Sequence, residues 1–247
     1  MESSKKRTLV NCFKDSIVRV RASLNGYTKH GTAFFVSNDG ILLTCNHVVS
    51  FTQPDPSGYL TVRYFPKIEI IKSDASIFPV RIFHDQDSSH PIFEDYAILK
   101  ADIKSVPLHL CDPNLIQPGD DIVILGYPFN FDQLCVTSGV VSAKHYSPSI
   151  FNNLVKLDMI RIDGSVNIGN SGGPLIDLYN QLVVGIVSIR YGSITEQLER
   201  LKENSDLPRD LIDLFETIDR YMNVGIGEAI SIRYALNELR RLGIMLS

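Results

Sequence analysis

Apolar, β-branched and aromatic residues fall along this chain in short runs bounded by Gly, Pro, Asn and Asp, the pattern of strands and turns rather than of long helices. One series occupies 16–22, 32–37, 41–44, 59–64, 79–83 and 96–100, and a second occupies 121–127, 134–144, 154–161, 174–178, 182–189 and 223–229. Between them, 103–119 carries Pro107, Pro113 and Pro118 without clear periodicity and reads as a linker. The expectation is a mainly β protein built from two antiparallel barrels of about six strands each. Its parts are a tail at 1–14, a first barrel at 15–102, the linker at 103–119 and a second barrel at 120–230. A cleft between the barrels is the natural place for a site.

Two stretches leave the β pattern. Over 194–221, Leu198, Leu201, Leu207, Leu211, Leu214, Phe215 and Ile218 recur at mixed three- and four-residue spacings among charges, which predicts a helical insertion in the second barrel, broken at Pro208. Over 231–247, Ser231 reads as an N-cap, Ile232, Leu236, Leu239 and Leu242 as one apolar face, and Gly243 as a stop, giving a C-terminal helix.

Composition narrows the class. A 247-residue chain that is 44% hydrophobic and 21% charged has ordinary globular usage. A net charge of −4 with no stripe of Lys and Arg argues against a nucleic-acid partner. Nothing approaches the roughly 18 apolar residues of a membrane span. The charged pair Lys14-Asp15 interrupts the apolar stretch near the start before it reaches signal length, so a cytoplasmic location is expected. Cys12, Cys45, Cys111 and Cys135 lack metal-ligand or CxxC spacing and are expected to stay reduced, with no disulfide, metal or cofactor.

Gly169-Asn170-Ser171-Gly172-Gly173-Pro174 surrounds one hydroxyl nucleophile with glycines. Such a turn aims backbone N–H groups at one point, as an acyl-transfer oxyanion requires, and the expected hole is Gly169, Asn170 and Ser171, with the Gly169 and Ser171 N–H groups converging. Serine needs a base, and the base needs an orienting carboxylate. Of six histidines, His47 follows the apolar run 41–44 and precedes Val48-Val49, whereas His30, His84, His90, His109 and His145 stand in polar or turn-like surroundings. Asp95 enters an apolar strand, where a charge needs a partner. Glu94 competes for that role, but adjacent strand residues face opposite ways and Asp95 is the choice.

At these residues the chain resembles the trypsin-like serine proteases, and among them the HtrA/Deg group without its PDZ domain. Gly31-Thr-Ala-Phe-Phe-Val36 continuing to His47-Val-Val49 is similar to the family's histidine block, and Asp95-Tyr-Ala-Ile-Leu-Lys100 to its aspartate block. Further similarity lies at Gly126-Tyr-Pro-Phe129, Thr137 to Ser142, Gly185-Ile-Val-Ser188 and Val224 to Ile230. The resemblance implies a serine endopeptidase that needs no cofactor, with His47 as base, Asp95 as orienting acid and Ser171 as nucleophile. It also implies that Ser188 hydrogen-bonds the aspartate, and that Ser188, Ile189 and Arg190 form the edge where a peptide substrate pairs. Ser165, six before the serine, falls at the expected base of the side-chain pocket and carries no charge, so a preference for Lys or Arg at the cut is not supported. Arg190 either favours a small, polar or acidic residue there or points to solvent. Asn170 replaces the Asp that receives a cleaved N-terminus in secreted digestive relatives, which argues against activation by that route. The insertion is expected to cover the cleft, to receive a dedicated partner, or only to pack. Set against an active protease cutting specific protein targets is a latent scaffold that binds a peptide or partner protein.

Overall fold

The computed structural model describes residues 2–57, 60–84, 90–111, 113–149, 154–190, 208–221 and 225–244. Among the described residues, nine strands precede the Pro-rich segment: β1 (Ile17–Leu24), β2 (Tyr27–Phe35), β3 (Ile41–Thr44), β4 (Ser50–Pro54), β5 (Leu60–Tyr64), β6 (Lys67–Ile71), β7 (Ile77–Pro79), β8 (Arg81–Ile82) and β9 (Ala97–Lys100). Six follow it: β10 (Asp121–Gly126), β11 (Cys135–Pro148), β12 (Lys156–Asp163), β13 (Pro174–Asp177), β14 (Leu182–Arg190) and β15 (Ile226–Ser231). The second set closes into an antiparallel barrel in the order β10-β11-β12-β15-β14-β13. The first set forms a seven-stranded sheet, β7-β6-β1-β2-β3-β9-β8, with β4 and β5 paired separately as a hairpin.

The mainly β, double-barrel architecture is therefore present, with a first sheet that gains a strand and stays open. The added strands have weak signatures. β4 reads Ser-Phe-Thr-Gln-Pro and offers one large apolar residue, while β6 alternates Lys67 and Glu69 with buried Ile68 and Ile70. Turn chemistry sets register elsewhere: β1 and β2 join through Asn25 and Gly26, both at positive φ, as a two-residue hairpin matching strand twist requires.

β10 shows why its sequence is a continuous apolar run. Ile122 and Ile124 point into the closed barrel, against Ile160, Ile162 and Val184. Val123 and Leu125 point the other way, into a second core shared with Phe34, Leu43 and Ile98 of the first sheet. A strand buried on both faces cannot alternate with polar residues. The shared core fixes the two sheets against each other.

Residues 2–13, expected within a tail, form an α-helix. Leu9 is fully buried, and Val10 and Phe13 pack beside it. The C-terminal helix runs Arg233–Arg241 and buries Ala235, Leu236 and Leu239. Ser231 is not its cap: it ends β15, its Oγ is buried without a partner, and Ile232 occupies the N-cap position. Gly243, at φ 69°, closes the helix as expected, its N–H donating to the Arg240 carbonyl. Of the insertion, Arg209–Tyr221 is a helix starting just after Pro208; the expected first helix lies outside the described residues.

Candidate active site

His47 sits on a single helical turn, Asn46–Val49, that follows β3 through Cys45. That turn is pinned from several directions. The Asn46 N–H donates to the Asp95 carbonyl at 3.2 Å, and Asn46 and Ser50 bond each other through side chain and main chain. Lys29, reaching from β2, donates Nζ to the carbonyls of His47 and Ser50, both at 3.0 Å. Burial pulls the Lys29 ammonium below the usual lysine range, and the negative charge of Asp95 partly restores it.

Asp95 stands just before β9 at φ 49°, a left-handed conformation that Asp tolerates better than most residues. Its side chain is 2% exposed, so its charge must be met within the protein. It is met three times. The His47 backbone N–H donates to Oδ1 at 2.9 Å, His47 Nδ1 approaches Oδ2 at 2.8 Å, and Ser188 Oγ donates to Oδ2 at 2.6 Å. With Nδ1 on the carboxylate, the ring presents Nε2 as its other nitrogen. The structure thus brings together His47, Asp95 and Ser188, and it is Asp95 rather than Glu94 that meets the histidine.

Ser171 lies in the turn between β12 and β13. Glycines are required there by close approach. A Cβ on Gly172, at φ 86°, would stand 2.2 Å from both the Thr32 carbonyl and Thr44 Oγ1; one on Gly169, at φ 100°, would stand 2.4 Å from the Tyr127 carbonyl. The turn is stitched to both sheets. Thr32 N–H donates to the Ser171 carbonyl at 2.9 Å, Thr32 Oγ1 donates to the Gly169 carbonyl at 2.7 Å, and Gly172 N–H donates to the Val187 carbonyl at 2.8 Å.

The Ile168 carbonyl accepts from Phe129 N–H at 2.6 Å. Because that peptide is planar and trans, the Gly169 N–H points the opposite way, away from Phe129. Among the described residues, neither the Gly169 nor the Ser171 N–H has an acceptor. Asn170, expected in the same hole, does not belong to it: its N–H donates to the Asn167 carbonyl at 3.0 Å, closing the turn. Ser171 Oγ donates to the Ser188 carbonyl at 3.3 Å, so reaching His47 takes a rotation of its side chain.

His47, Ser171, Gly169 and Ser188 open on a cleft of about 680 Å³ lined also by Tyr27, Lys29 and His30 from β2 and by Phe129 and Asn130. Ser165 is exposed and is not part of that lining. Ile189 and Arg190 lie on β14, where their backbones pair with Glu228 and Gly227; their side chains lie outside the described residues. Sequence reasoning passed over Lys29 and Thr32. Thr32 had a signal in its place at the head of the histidine block, whereas Lys29 had none. Cys45, directly behind His47, is fully buried, its Sγ 3.2 Å from the Val187 carbonyl. Burial pushes its thiol well above the usual cysteine range.

The profile of the trypsin-like peptidase domain matches residues 31–186, more than half the chain. A probable periplasmic serine endoprotease, DegP-like, of Pseudomonas savastanoi pv. phaseolicola is 35% identical over 159 residues, 64% of this chain and 28% of that protein. The magnetosome formation protease MamE of Paramagnetospirillum magneticum is 33% identical over 170 residues, 65% of this chain and 20% of that protein. The chain spans less than a third of the length of these relatives. Among solved structures, the HtrA-type protease AlgW with tripeptide superimposes with a TM-score of 0.69 at 24% identity, covering 96% of this chain and 63% of the other. The Rv3671c protease from M. tuberculosis, in its active form, gives 0.67 at 22%, covering 98% and 87%. The expectation of a cytoplasmic protein is corrected by these relatives. Those named DegP-like are described as periplasmic, against the location expected from the first fifteen residues.

Proposed function

The chain belongs to the trypsin-like peptidase family, and from that premise we propose that it is a serine endopeptidase working through His47, Asp95 and Ser171. The observation that carries the reading is the buried Asp95 carboxylate, which holds both the backbone N–H and Nδ1 of His47 and leaves Nε2 as the base. A substrate lying along β14 displaces Ser171 Oγ from the Ser188 carbonyl. Nε2 then takes the hydroxyl proton as Oγ attacks the scissile carbonyl, and Asp95 stays ionised and stabilises the imidazolium. The N–H groups of Gly169 and Ser171 receive the oxyanion. His47 returns the proton to the leaving amine, and a water, deprotonated by the same nitrogen, releases the acyl group from Ser171. No step calls for a cofactor.

Protein or peptide chains are the substrates, with limited cleavage of specific targets. Residues 194–221 come next in the chain after β14, the strand where the substrate pairs, and the helix Arg209–Tyr221 within them exposes Leu214 and Ile218, four residues apart on one face. That apolar pair is the contact for a dedicated partner or activator. The resting hydrogen bond of Ser171 to the Ser188 carbonyl favours a second reading, a latent enzyme or protease-fold scaffold whose serine is turned only when something binds.

Labelling with a fluorescent fluorophosphonate separates these readings. Wild-type protein is expected to label and Ser171→Ala to lose the label completely, with more labelling on deleting 194–221 if the insertion gates the site. Absence of label from wild type and from the deletion alike would leave the latent reading standing.

A further inference from the structure

Behind the catalytic histidine, three groups of different chemistry meet. One ligand atom each from Cys45, His47 and Asp95 lies within 4.8 Å of the other two, with Cys45 and Asp95 buried. On the imidazole, the nitrogen facing this point is Nδ1, 2.8 Å from Asp95 Oδ2. Cys45 takes no part in turnover. Its thiol donates to the Val187 carbonyl, and no step of the proposed mechanism uses its sulfur.

We propose that this cluster is an inhibitory zinc site in which the Cys45 thiolate, His47 Nδ1 and an Asp95 carboxylate oxygen bind one Zn²⁺. The inference rests on the reading of His47 as general base. The donor set is sulfur, imidazole nitrogen and carboxylate oxygen, the types zinc takes, with the fourth position left to Ser188 Oγ, already on Asp95, or to water. Size fits closely. An ion at the centre of a triangle with sides no longer than 4.8 Å stands at most about 2.8 Å from each corner, so shifts of under about 1 Å reach the usual distances near 2.0–2.3 Å.

Charge fits as well: a thiolate and a carboxylate neutralise the ion, so the occupied site carries no net charge into a buried place. The same cysteine without a metal is a neutral thiol, which fits its burial. The sequence hides the set because two ligands stand two residues apart and the third lies 48 residues further on, unlike any metal-binding spacing.

Binding stops catalysis through the proton. The thiol proton leaves to solvent, and the proton on His47 Nδ1 moves to Nε2 as Nδ1 takes the metal. Nε2 then carries a hydrogen where its lone pair had faced Ser171, and no base remains for the hydroxyl. The ion enters from the cleft, where the His47 side chain is 31% exposed.

Two measurements on the full chain test this. In the first, kcat/KM on a peptide substrate is measured with zinc and again after chelation, each variant serving as its own reference. Wild type is expected to lose at least tenfold with zinc and recover on chelation, whereas Cys45→Ala and Cys45→Ser lose less than twofold. The serine variant keeps a donor for the Val187 carbonyl while removing the soft ligand. The second adds Co²⁺, as a spectroscopic stand-in for zinc, to Ser171→Ala protein. A sulfur-to-cobalt charge-transfer band is expected, and it vanishes when Cys45→Ala is added, although Cys12, Cys111 and Cys135 remain. Equal inhibition of all variants, or a cobalt band that survives loss of Cys45, overturns the site. If no variant cleaves peptide, the endopeptidase reading fails while the cobalt spectrum still decides whether the three residues bind a metal.

Discussion

Asp95 combines more of the site's requirements than any other residue, because one buried carboxylate receives the turn that carries His47, the ring itself and the Ser188 hydroxyl. Asp95→Asn keeps its shape and removes its charge. An amide nitrogen turned toward Nδ1 favours the opposite tautomer, and kcat is expected to fall by about 10³–10⁴ while KM changes little. Steady-state kinetics check this, and a fall below tenfold would remove Asp95 from the proposed mechanism. The same residue shows what a sequence makes legible. A carboxylate entering an apolar strand, a histidine at a strand end and a serine among glycines each conflict with their local surroundings, and that conflict is visible one residue at a time. Lys29 has no such mark. Its part is to hold the carbonyls of His47 and Ser50, and nothing local to β2 announces two carbonyls 18 and 21 residues away. Asn170 fails for a related reason: whether its N–H is available depends on how the turn closes onto Asn167, which spacing does not determine.

Among the elements, the nucleophile turn is the one whose shape is imposed most strictly by its neighbours. Gly172→Ala places a methyl 2.2 Å from two oxygens of the first sheet in a backbone conformation that disfavours side chains. A loss of about 3 kcal/mol or more of folding stability is expected in urea titrations, from the left-handed strain and the forced separation of the sheets together. A loss below about 1 kcal/mol would mean the turn relaxes freely, contrary to its hydrogen bonds. The strands of the closed barrel were legible because each carries its own apolar period, and even the doubly buried β10 declared itself as a continuous run. β4, β6 and the helix at Glu2–Phe13 were not, because each owes its form to a partner: β4 to β5, β6 to β1 and the helix to the pocket that takes Leu9. The C-terminal helix was legible through its apolar face and Gly243, although Ser231 remained in the strand.

For the molecule as a whole, His30 ties stability to pH. Burial, followed by the charges of Arg21 and then Arg19, holds its imidazole below the ordinary histidine range. The unfolded chain therefore takes up this proton first, and the contribution, complete above the unfolded value of about 6.5, is lost as pH falls toward the folded one. The melting temperature is expected to drop between about pH 7.5 and 5.5, and to drop less in His30→Gln; parallel slopes for the two proteins would assign the dependence elsewhere. The site itself is assembled across long separations. Thr32 bonds Gly169, 137 positions away, and Ser188 bonds Asp95 across 93. On a ribosome those partners emerge far apart in time, the first sheet well before the strand that carries Ser188. A half-made chain thus holds a histidine and an aspartate with no shaped nucleophile turn. On the proposed mechanism the chain is born inert, and becomes able to cut only when its second barrel has closed.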